Sequence, residues 1–194
     1  RSCYSCLSLE LCDAYLDIGE REKFEDFYFH NGKHQAVGMP LSDFSHHQFI
    51  LGRLANDKGD IAQMRACATK LADEDDMESQ IYARQLSATA ELREGKPVDA
   101  LVTLGVWDDL MRNPGYLPKT CTLILSALET GAQGIDVPLW SSRLNEAIHL
   151  LATNGICYDC IELATRAAPL LAKVTGVDVA KALLDAVEPE LAEL

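Results

Sequence analysis

The sequence predicts an all-α protein built from stacked helical hairpins. Glycines recur at Gly19, Gly59, Gly95 and Gly131, each after an apolar helical stretch, and each of the first three precedes a further helical stretch. A near-regular period of this kind is typical of helical-repeat proteins. Leu and Ala dominate the apolar residues while β-branched runs are scarce, which favours helix over strand. With 48% hydrophobic and 24% charged residues among 194, the chain reads as globular.

The first hairpin is predicted around Gly19. Residues 2–18 repeat apolar side chains at three- and four-residue steps, and residues 20–30 form a second, shorter helix. Gly19 between them supplies the left-handed or tight-turn conformation that ends the first helix. Two glycines and a proline in residues 31–40 predict a loop before the next hairpin.

The second hairpin is predicted to turn at Gly59. Ser42 and Asp43 are expected to cap its first helix just before Phe44, because short polar side chains accept hydrogen bonds from the free amides of a helix start. The acidic run at residues 73–76 is expected to form the turn to the next hairpin. It also places negative charge at the start of the following helix, where the helix dipole favours it.

The third and fourth hairpins are predicted over residues 77–112 and 117–153. Pro97 follows the Gly95 turn and fits the first turn of a helix, where its missing amide costs nothing. In the fourth hairpin a long loop at residues 131–140 separates a helix ending at Thr130 from one starting at Ser141. Long loops on repeat proteins often mark an interaction face, although many are tolerated insertions.

The repeats define one helical-repeat domain spanning residues 1–194. The final helix, from Val177 to Leu194, reads as a cap or as the first half of a further repeat. The chain opens at Arg1 in what already reads as helix, so we expect a fragment of a longer protein. The predicted repeat units span about residues 2–31, 42–74, 77–112, 117–153 and 156–194.

Small residues within the first helices, aromatic residues near them and glycines at the turns carry a family resemblance. In chain order these residues are Leu11, Tyr15, Gly19, Tyr28, Leu51, Gly52, Gly59, Asp60, Met64, Ala88, Gly95 and Ala100. The chain resembles the tetratricopeptide-repeat (TPR) family over about residues 2–112, and more weakly over 117–194. The resemblance implies a right-handed superhelix of four to five antiparallel helix pairs. The turn spacings of about 40 and 36 residues differ from the family's 34, so another kind of α-solenoid stays an alternative.

The resemblance also implies a concave groove lined by the first helix of each pair. The carboxylate clamp with which some family members grip a chaperone tail is not matched, because the first helix has no Lys and Arg84 is followed by Ala88. A peptide that is amphipathic or extended, with some basic character, fits the remaining groove residues better. The groove positions by alignment are Leu9, Asp13, Leu16, Asp17, Phe49, Arg53, Asn56, Tyr82, Gln85, Thr89 and Arg93.

Net charge and cysteine content restrict the classes of partner and compartment. A net charge of -13 repels phosphate backbones, so nucleic-acid binding is not expected, whereas a basic protein surface is a better electrostatic match. The same acidity would also simply keep the protein monodisperse. No apolar run reaches the roughly 18 residues of a membrane-spanning helix. Seven cysteines, an odd number, lie mostly within helical patterns and favour reduced thiols in the cytoplasm or another reducing intracellular compartment.

Two cysteine pairs have the local spacing of zinc ligands. Cys3 and Cys6 form one C-x-x-C string, and Cys157 and Cys160 form the other, near the opposite end of the chain. A shared site is therefore not expected, and small thiols packed between helices are the favoured interpretation.

Four histidines lie close together in the sequence, at His30, His34, His46 and His47. Adjacent histidines on a helix point to different faces, so His46 and His47 are not expected to bind one metal ion together. The HExxH string of zinc proteases is also absent. We therefore expect partly exposed surface or groove histidines, and no metal or other cofactor.

No catalytic motif stands out in the sequence. It contains no phosphate-binding GxxxxGK[ST] string, no GxGxxG and no GxSxG. We therefore expect a non-catalytic scaffold or adaptor that binds another protein. Two alternatives stay open: a regulatory or sensor module of a larger signalling or transcription-regulating protein, and a helical metal- or thiol-dependent protein that uses the Cys and His residues.

Overall fold

The computed structural model describes residues 11–31, 41–105, 107–154 and 157–191, and these are helical with short turns and no strand. The all-α prediction is confirmed for this part of the chain. None of the helices described is long and apolar enough to cross a membrane. The helices are α1 (residues 11–17), α2 (Arg21–Glu25), α3 (Leu41–Asp57), α4 (Ile61–Ala72), α5 (Met77–Arg93), α6 (Pro97–Thr103), α7 (Trp107–Met111), α8 (Leu117–Glu129), α9 (Val137–Thr153), α10 (Cys157–Val174) and α11 (Val177–Leu191).

Two compact units divide the chain, Arg1–Ala90 and Glu91–Leu194, and the division falls within α5. A π-helical turn, Asp26–Asn31, extends α2, and a short 3-10 helix, Pro114–Tyr116, precedes α8. The single repeat domain expected for residues 1–194 stays a prediction.

Three of the predicted glycine turns share one backbone geometry. Gly19, Gly59 and Gly95 have φ of +75°, +71° and +74°. In each turn the glycine amide donates to the carbonyl three residues earlier, and the next amide donates to the carbonyl five residues earlier. This is the Schellman arrangement that ends a helix. The latter bonds are Glu20 to Tyr15 at 2.9 Å, Asp60 to Ala55 at 2.8 Å and Lys96 to Glu91 at 2.8 Å.

Aspartates cap the helices that follow several turns. Asp60 Oδ1 accepts the Gln63 amide at 2.9 Å at the start of α4. Asp76 Oδ1 accepts a hydrogen bond from the Ser79 amide at 2.9 Å at the start of α5. This confirms that the acidic run places a negative charge at the start of that helix. Pro97 lies in the first turn of α6, as predicted.

Two predicted helix boundaries are wrong. The first helix of the second hairpin begins at Leu41, so Ser42 and Asp43 lie inside its first turn rather than before it. α9 begins at Val137 rather than Ser141, because Asp136 caps it by accepting the Leu139 amide at 3.1 Å. The predicted loop over residues 131–140 is shortened accordingly.

The second helix of the third hairpin is divided. It ends at Thr103 and resumes as α7 at Trp107, with Gly105 in between. Val102, near the end of α6, is 74% exposed. Gly105 accounts for the break in part, because glycine is unfavourable within a helix.

In the unit Arg1–Ala90, α3 packs on α1 and α2 through an apolar cluster. Its buried members are Cys12, Phe24, Tyr28, Ile50 and Leu54. The rings of Phe24 and Tyr28 stack with centroids 5.2 Å apart. The cluster fixes the first hairpin against the second, since buried aromatic and aliphatic side chains of this kind supply most of the packing energy of a core.

Helices α3 and α5 run parallel in the same unit. Ser45 Oγ lies 2.5 Å from Ser79 Oγ, 34 positions further along the chain. One turn later the ring of Phe49 stacks on that of Tyr82. One turn later again Gly52 faces Leu86, so closely that a Cβ at residue 52 would lie 2.7 Å from Leu86 Cδ2. Because the contacts advance in the same direction along both helices, the helices are parallel.

In the unit Glu91–Leu194, α8, α9, α10 and α11 pack as successive neighbours. Ile124, Leu125, Leu144 and Ile148 are fully buried within it. The Arg166 side chain of α10 reaches Glu129 at the end of α8, with Nη2 3.2 Å from Oε2. The predicted final helix is present as α11, which begins at Val177 as predicted and is described up to Leu191.

Candidate functional site

Arg53 joins two predicted groove carboxylates. Its Nη1 donates to the carboxylate and, at 3.3 Å, to the backbone carbonyl of Asp13, and its Nη2 donates to Asp17 Oδ1 at 2.6 Å. Asp13 and Asp17 lie one turn apart on α1, so that Arg53 of α3 reaches both. We call these three residues the Arg53 cluster.

The Arg53 cluster is accessible at one side only. Side-chain exposure is 17% at Asp13 and 20% at Arg53, but 51% at Asp17. Burial lowers the pKa of the Arg53 guanidinium, and the two carboxylates raise it by more, so the net pKa is raised. Two carboxylates of α1 therefore meet one guanidinium of α3.

Three other predicted groove residues lie between helices. Phe49, Tyr82 and Gln85 are only 3%, 8% and 3% exposed. The rings of Phe49 and Tyr82 stack with centroids 4.1 Å apart, which places both in the contact of α3 with α5. The family resemblance predicted which helix face carries these residues, but it did not predict that this face would be buried. Their role in partner binding stays a prediction.

The remaining predicted groove residues are partly or fully accessible. Leu16 is half-buried and packs on the apolar cluster of α1, α2 and α3. Asn56 is half-buried, Thr89 donates its hydroxyl to the Gln85 carbonyl at 2.7 Å, and Arg93 is exposed. Leu9 lies outside the described residues.

Tyr28 and His47 share a buried hydrogen bond that the sequence did not predict. The Tyr28 hydroxyl lies 2.8 Å from His47 Nδ1, and the two rings stack 5.7 Å apart. Burial raises the pKa of Tyr28, so the phenol keeps its proton and can donate to the imidazole. His47 is only 7% exposed, which corrects the expectation of a partly exposed side chain, whereas His46 is half-buried beside the Tyr82 ring.

His30 lies on the π-helical turn, and nothing is described of its side chain, while His34 lies outside the described residues. Within the described ranges no three His, Cys, Asp or Glu side chains are grouped so that they could hold a metal ion.

Four cysteines are buried as free thiols, at Cys12, Cys67, Cys121 and Cys160. Burial, with a smaller contribution from Asp13, raises the pKa of Cys12 to about 11, and burial raises that of Cys121 to about 12. The pKa of Cys67 is also raised by burial. Thiols of this kind stay protonated at neutral pH, and the thiolate is the form that attacks electrophiles or binds metals.

Of the two predicted C-x-x-C pairs, Cys3 and Cys6 lie outside the described residues. Cys157 begins α10, and nothing is described of its side chain. Cys160 is fully buried in α10 as a free thiol, in agreement with the predicted packing of thiols between helices.

Both tryptophans of the chain contact one arginine in the second unit. The Arg143 guanidinium carbon lies 4.8 Å from the ring centroid of Trp140 and 5.8 Å from that of Trp107. Trp107 Nε1 donates to Glu146 Oε2 at 3.3 Å. These contacts attach the short helix α7 to α9, and cation–π pairs of this type stabilise by about 0.5–2 kcal/mol.

The described fold and contacts define an all-α protein with repeated glycine turns and a parallel contact between α3 and α5. No protein-family model, no characterised protein and no solved structure matches the chain.

Proposed function

We propose that the protein is a TPR-like helical-repeat scaffold or adaptor, which binds a segment of another protein without catalysing a reaction. The segment would lie along the first helices of the first three hairpins, α1, α3 and α5. The contact of α3 with α5 at an offset of 34 residues supports this proposal most strongly. First helices of successive hairpins run parallel in stacked repeat arrays, and the array surface is the usual binding face.

The glycine turns give independent support. Equal turn geometry at Gly19, Gly59 and Gly95 sends each following helix away from its predecessor in a similar direction. Repetition of one local unit is the physical basis of a solenoid, since each hairpin buries its remaining apolar face against the next.

A partner with basic character fits the accessible part of the proposed groove. Asp17, which carries a carboxylate beside Arg53, is half exposed. The net charge of -13 adds a long-range attraction for a basic segment, which raises association rates more than affinity.

The test must keep an ion pair at residues 13 and 53, because the pair of Asp13 with Arg53 joins α1 to α3. Arg53→Asp alone leaves three carboxylates together and disturbs the contact of α1 with α3, so that loss of binding could reflect misfolding. The double variant Asp13→Arg with Arg53→Asp restores an opposite-charge pair and keeps two carboxylates and one guanidinium, so it is the folding control. Asp17→Lys keeps the Asp13–Arg53 pair and reverses the charge of the half-exposed carboxylate. Arg112→Glu, at a 78% exposed side chain in the other unit, is the control for net charge.

Partners are first found by crosslinking and mass spectrometry and are then purified for calorimetric titration. We expect Asp17→Lys to fold and to bind the partner at least tenfold more weakly, while the charge-swapped variant and Arg112→Glu bind nearly as the parent does. Unchanged affinity in folded Asp17→Lys would contradict binding at the Arg53 cluster.

A regulatory or sensor module would use the same surface in a larger protein, and the same titration would detect its partner. A metal- or thiol-dependent function has less support, because burial raises the pKa of Cys12, Cys67 and Cys121. Metal analysis of the purified chain tests that alternative, and stoichiometric zinc or iron would favour it.

A further inference from the structure

A depression of about 200 Å³ opens beside the Gly59 turn in the first unit. Leu54 and Ala55 are buried at its base, and Leu51 is half-buried. Side chains at the end of α3 and the start of α4 surround it. Its lining residues are Leu51, Leu54, Ala55, Lys58, Asp60 and Gln63.

The volume of the depression limits what it can hold. Pockets for drug-sized ligands and cofactors typically measure 300–1,000 Å³, so this one is too small for such molecules. A cavity of about 150 Å³ already holds benzene, which is close in size to one large apolar side chain. One side chain of a partner segment therefore matches the depression better than a cofactor.

Charge around the depression favours basic neighbours on that segment. The turn that borders it carries two exposed carboxylates, Asp57 and Asp60, against one ammonium, Lys58. The half-exposed carboxylate of Asp17 is paired with Arg53, one turn earlier on α3. A lysine or arginine next to the inserted side chain would be attracted to this end of α3, and an acidic residue would be repelled.

We propose that the depression receives one leucine- or methionine-sized side chain from a partner segment whose adjacent residues are lysine or arginine. This inference rests on the proposed scaffold function and specifies the chemistry of the segment. Insertion of an apolar anchor surrounded by weaker polar contacts is the common pattern of affinity in such interfaces.

The test uses the acetylated and amidated pentapeptide Lys-Lys-Leu-Lys-Lys as the probe, with the full chain labelled with ¹⁵N. We expect dose-dependent amide shifts at Leu51, Ala55 and Gln63. The same peptide with a central alanine should cause much smaller shifts, since alanine leaves most of the depression unfilled. A peptide with glutamates in place of the lysines should bind more weakly than the leucine probe.

Two surface variants separate local from overall charge. Lys58→Glu removes the ammonium at the rim, and we expect it to tighten binding of the basic probe about twofold to fivefold, the range of one exposed ion pair. Lys70→Glu makes the same change of charge at an exposed position near the end of α4, away from the lining, and should leave the affinity nearly unchanged.

Equal shifts from the leucine and alanine peptides, or tighter binding of the acidic peptide, would overturn the inference. Amide shifts confined to residues outside 51–63 would also overturn it. These results are independent of the calorimetric titration of the natural partner with variants of the Arg53 cluster. A partner that depends on the Arg53 cluster while the probe fails would leave the scaffold function standing and remove the depression as its anchor site.

Discussion

The ring of Phe49 on α3 stacks on the ring of Tyr82 on α5, with centroids 4.1 Å apart and planes 11° from parallel. This contact lies between those of Ser45 with Ser79 and of Gly52 with Leu86. The three together fix the register of two parallel helices from successive hairpins. Their relation supports the proposed repeat architecture more strongly than any single turn does.

Truncation of Phe49 or Tyr82 should destabilise the chain strongly. Each ring is more than nine-tenths buried, so Phe49→Ala and Tyr82→Ala should each lower the free energy of unfolding by about 3–5 kcal/mol. In a double-mutant cycle, urea denaturation should give a coupling of about 0.5–1.5 kcal/mol for stacked rings. Strict additivity of the two losses would show that the rings do not contact each other.

The close approach at Gly52 should make a single methyl group unfavourable. Gly52→Ala gains about 1 kcal/mol of helix propensity but forces a Cβ against the buried Leu86, and overpacking of this kind costs about 1–3 kcal/mol. We expect a net loss in the melting temperature. Gly115→Ala is the control, because a Cβ there meets nothing within 4 Å. A Gly52→Ala protein that melts higher than the parent would contradict the close packing of α3 on α5.

Substitution of Gly59 tests the cost of a left-handed backbone conformation without any steric clash of the new side chain. A Cβ at this residue meets no atom within 4 Å, but φ is +71°. Gly59→Ala should therefore destabilise by about 1–2 kcal/mol through backbone strain, whereas Gly59→Asn should cost less because asparagine tolerates this region. Chemical denaturation of both variants measures the difference. Equal losses for alanine and asparagine would point to a cause other than the left-handed conformation.

Asp76 should make stability depend on pH at the start of α5. Burial raises the pKa of its carboxyl, but hydrogen bonds from the Ser79 amide at 2.9 Å and hydroxyl at 2.5 Å outweigh that effect, so the pKa is lowered. A lowered folded-state pKa gives stability that is present above the unfolded value of about 3.9 and is lost as the pH falls further, through the folded value.

We therefore expect Asp76→Ala to cost about 0.5–2 kcal/mol at pH 7, the usual value of a helix cap. The loss relative to the parent should shrink when urea denaturation is repeated below pH 3. Asp75→Ala at the exposed neighbouring position is the control and should have little effect at either pH. A loss at Asp76 that is as large below pH 3 as at pH 7 would show that the charge of the carboxylate is not involved.

The four buried thiols should resist alkylation in the folded state. Burial and the raised pKa of Cys12, Cys67 and Cys121 leave little accessible thiolate at pH 7.5. Brief exposure to iodoacetamide followed by peptide mass spectrometry should leave these sites and Cys160 unmodified, and complete modification should follow in urea. Rapid native modification of Cys121 would contradict its placement in the core.

Local signals in the sequence predicted the turns well, because Gly59, Pro97 and Asp76 act through their own backbone or that of adjacent residues. Boundaries that depend on competing caps were predicted less well. Ser141 offers capping chemistry, but Asp136 accepts the Leu139 amide earlier and so starts α9 sooner. Nothing in the sequence pattern alone chooses between two such caps.

The candidate site could be predicted only in part. The family resemblance predicted Asp13, Asp17 and Arg53 as groove residues, which stays a prediction. The structure brings the three side chains together, and their ion pairs depend on the distance between α1 and α3, which the sequence does not give. Phe49 and Tyr82 read as groove residues because periodicity does not reveal which face a neighbouring helix covers. The bond of Tyr28 to His47 depends on a contact between elements that no short pattern encodes.

Engineered disulfide formation tests the parallel stacking of α3 and α5 most directly. Ser45→Cys with Ser79→Cys should form a disulfide in high yield without loss of stability, since the two hydroxyl oxygens lie 2.5 Å apart. Peptide mass spectrometry would show that the disulfide joins these two positions and not the parent's own cysteines. Ser45→Cys with Thr89→Cys should remain reduced. A disulfide in the second pair and none in the first would contradict the parallel register and the repeat architecture that rests on it.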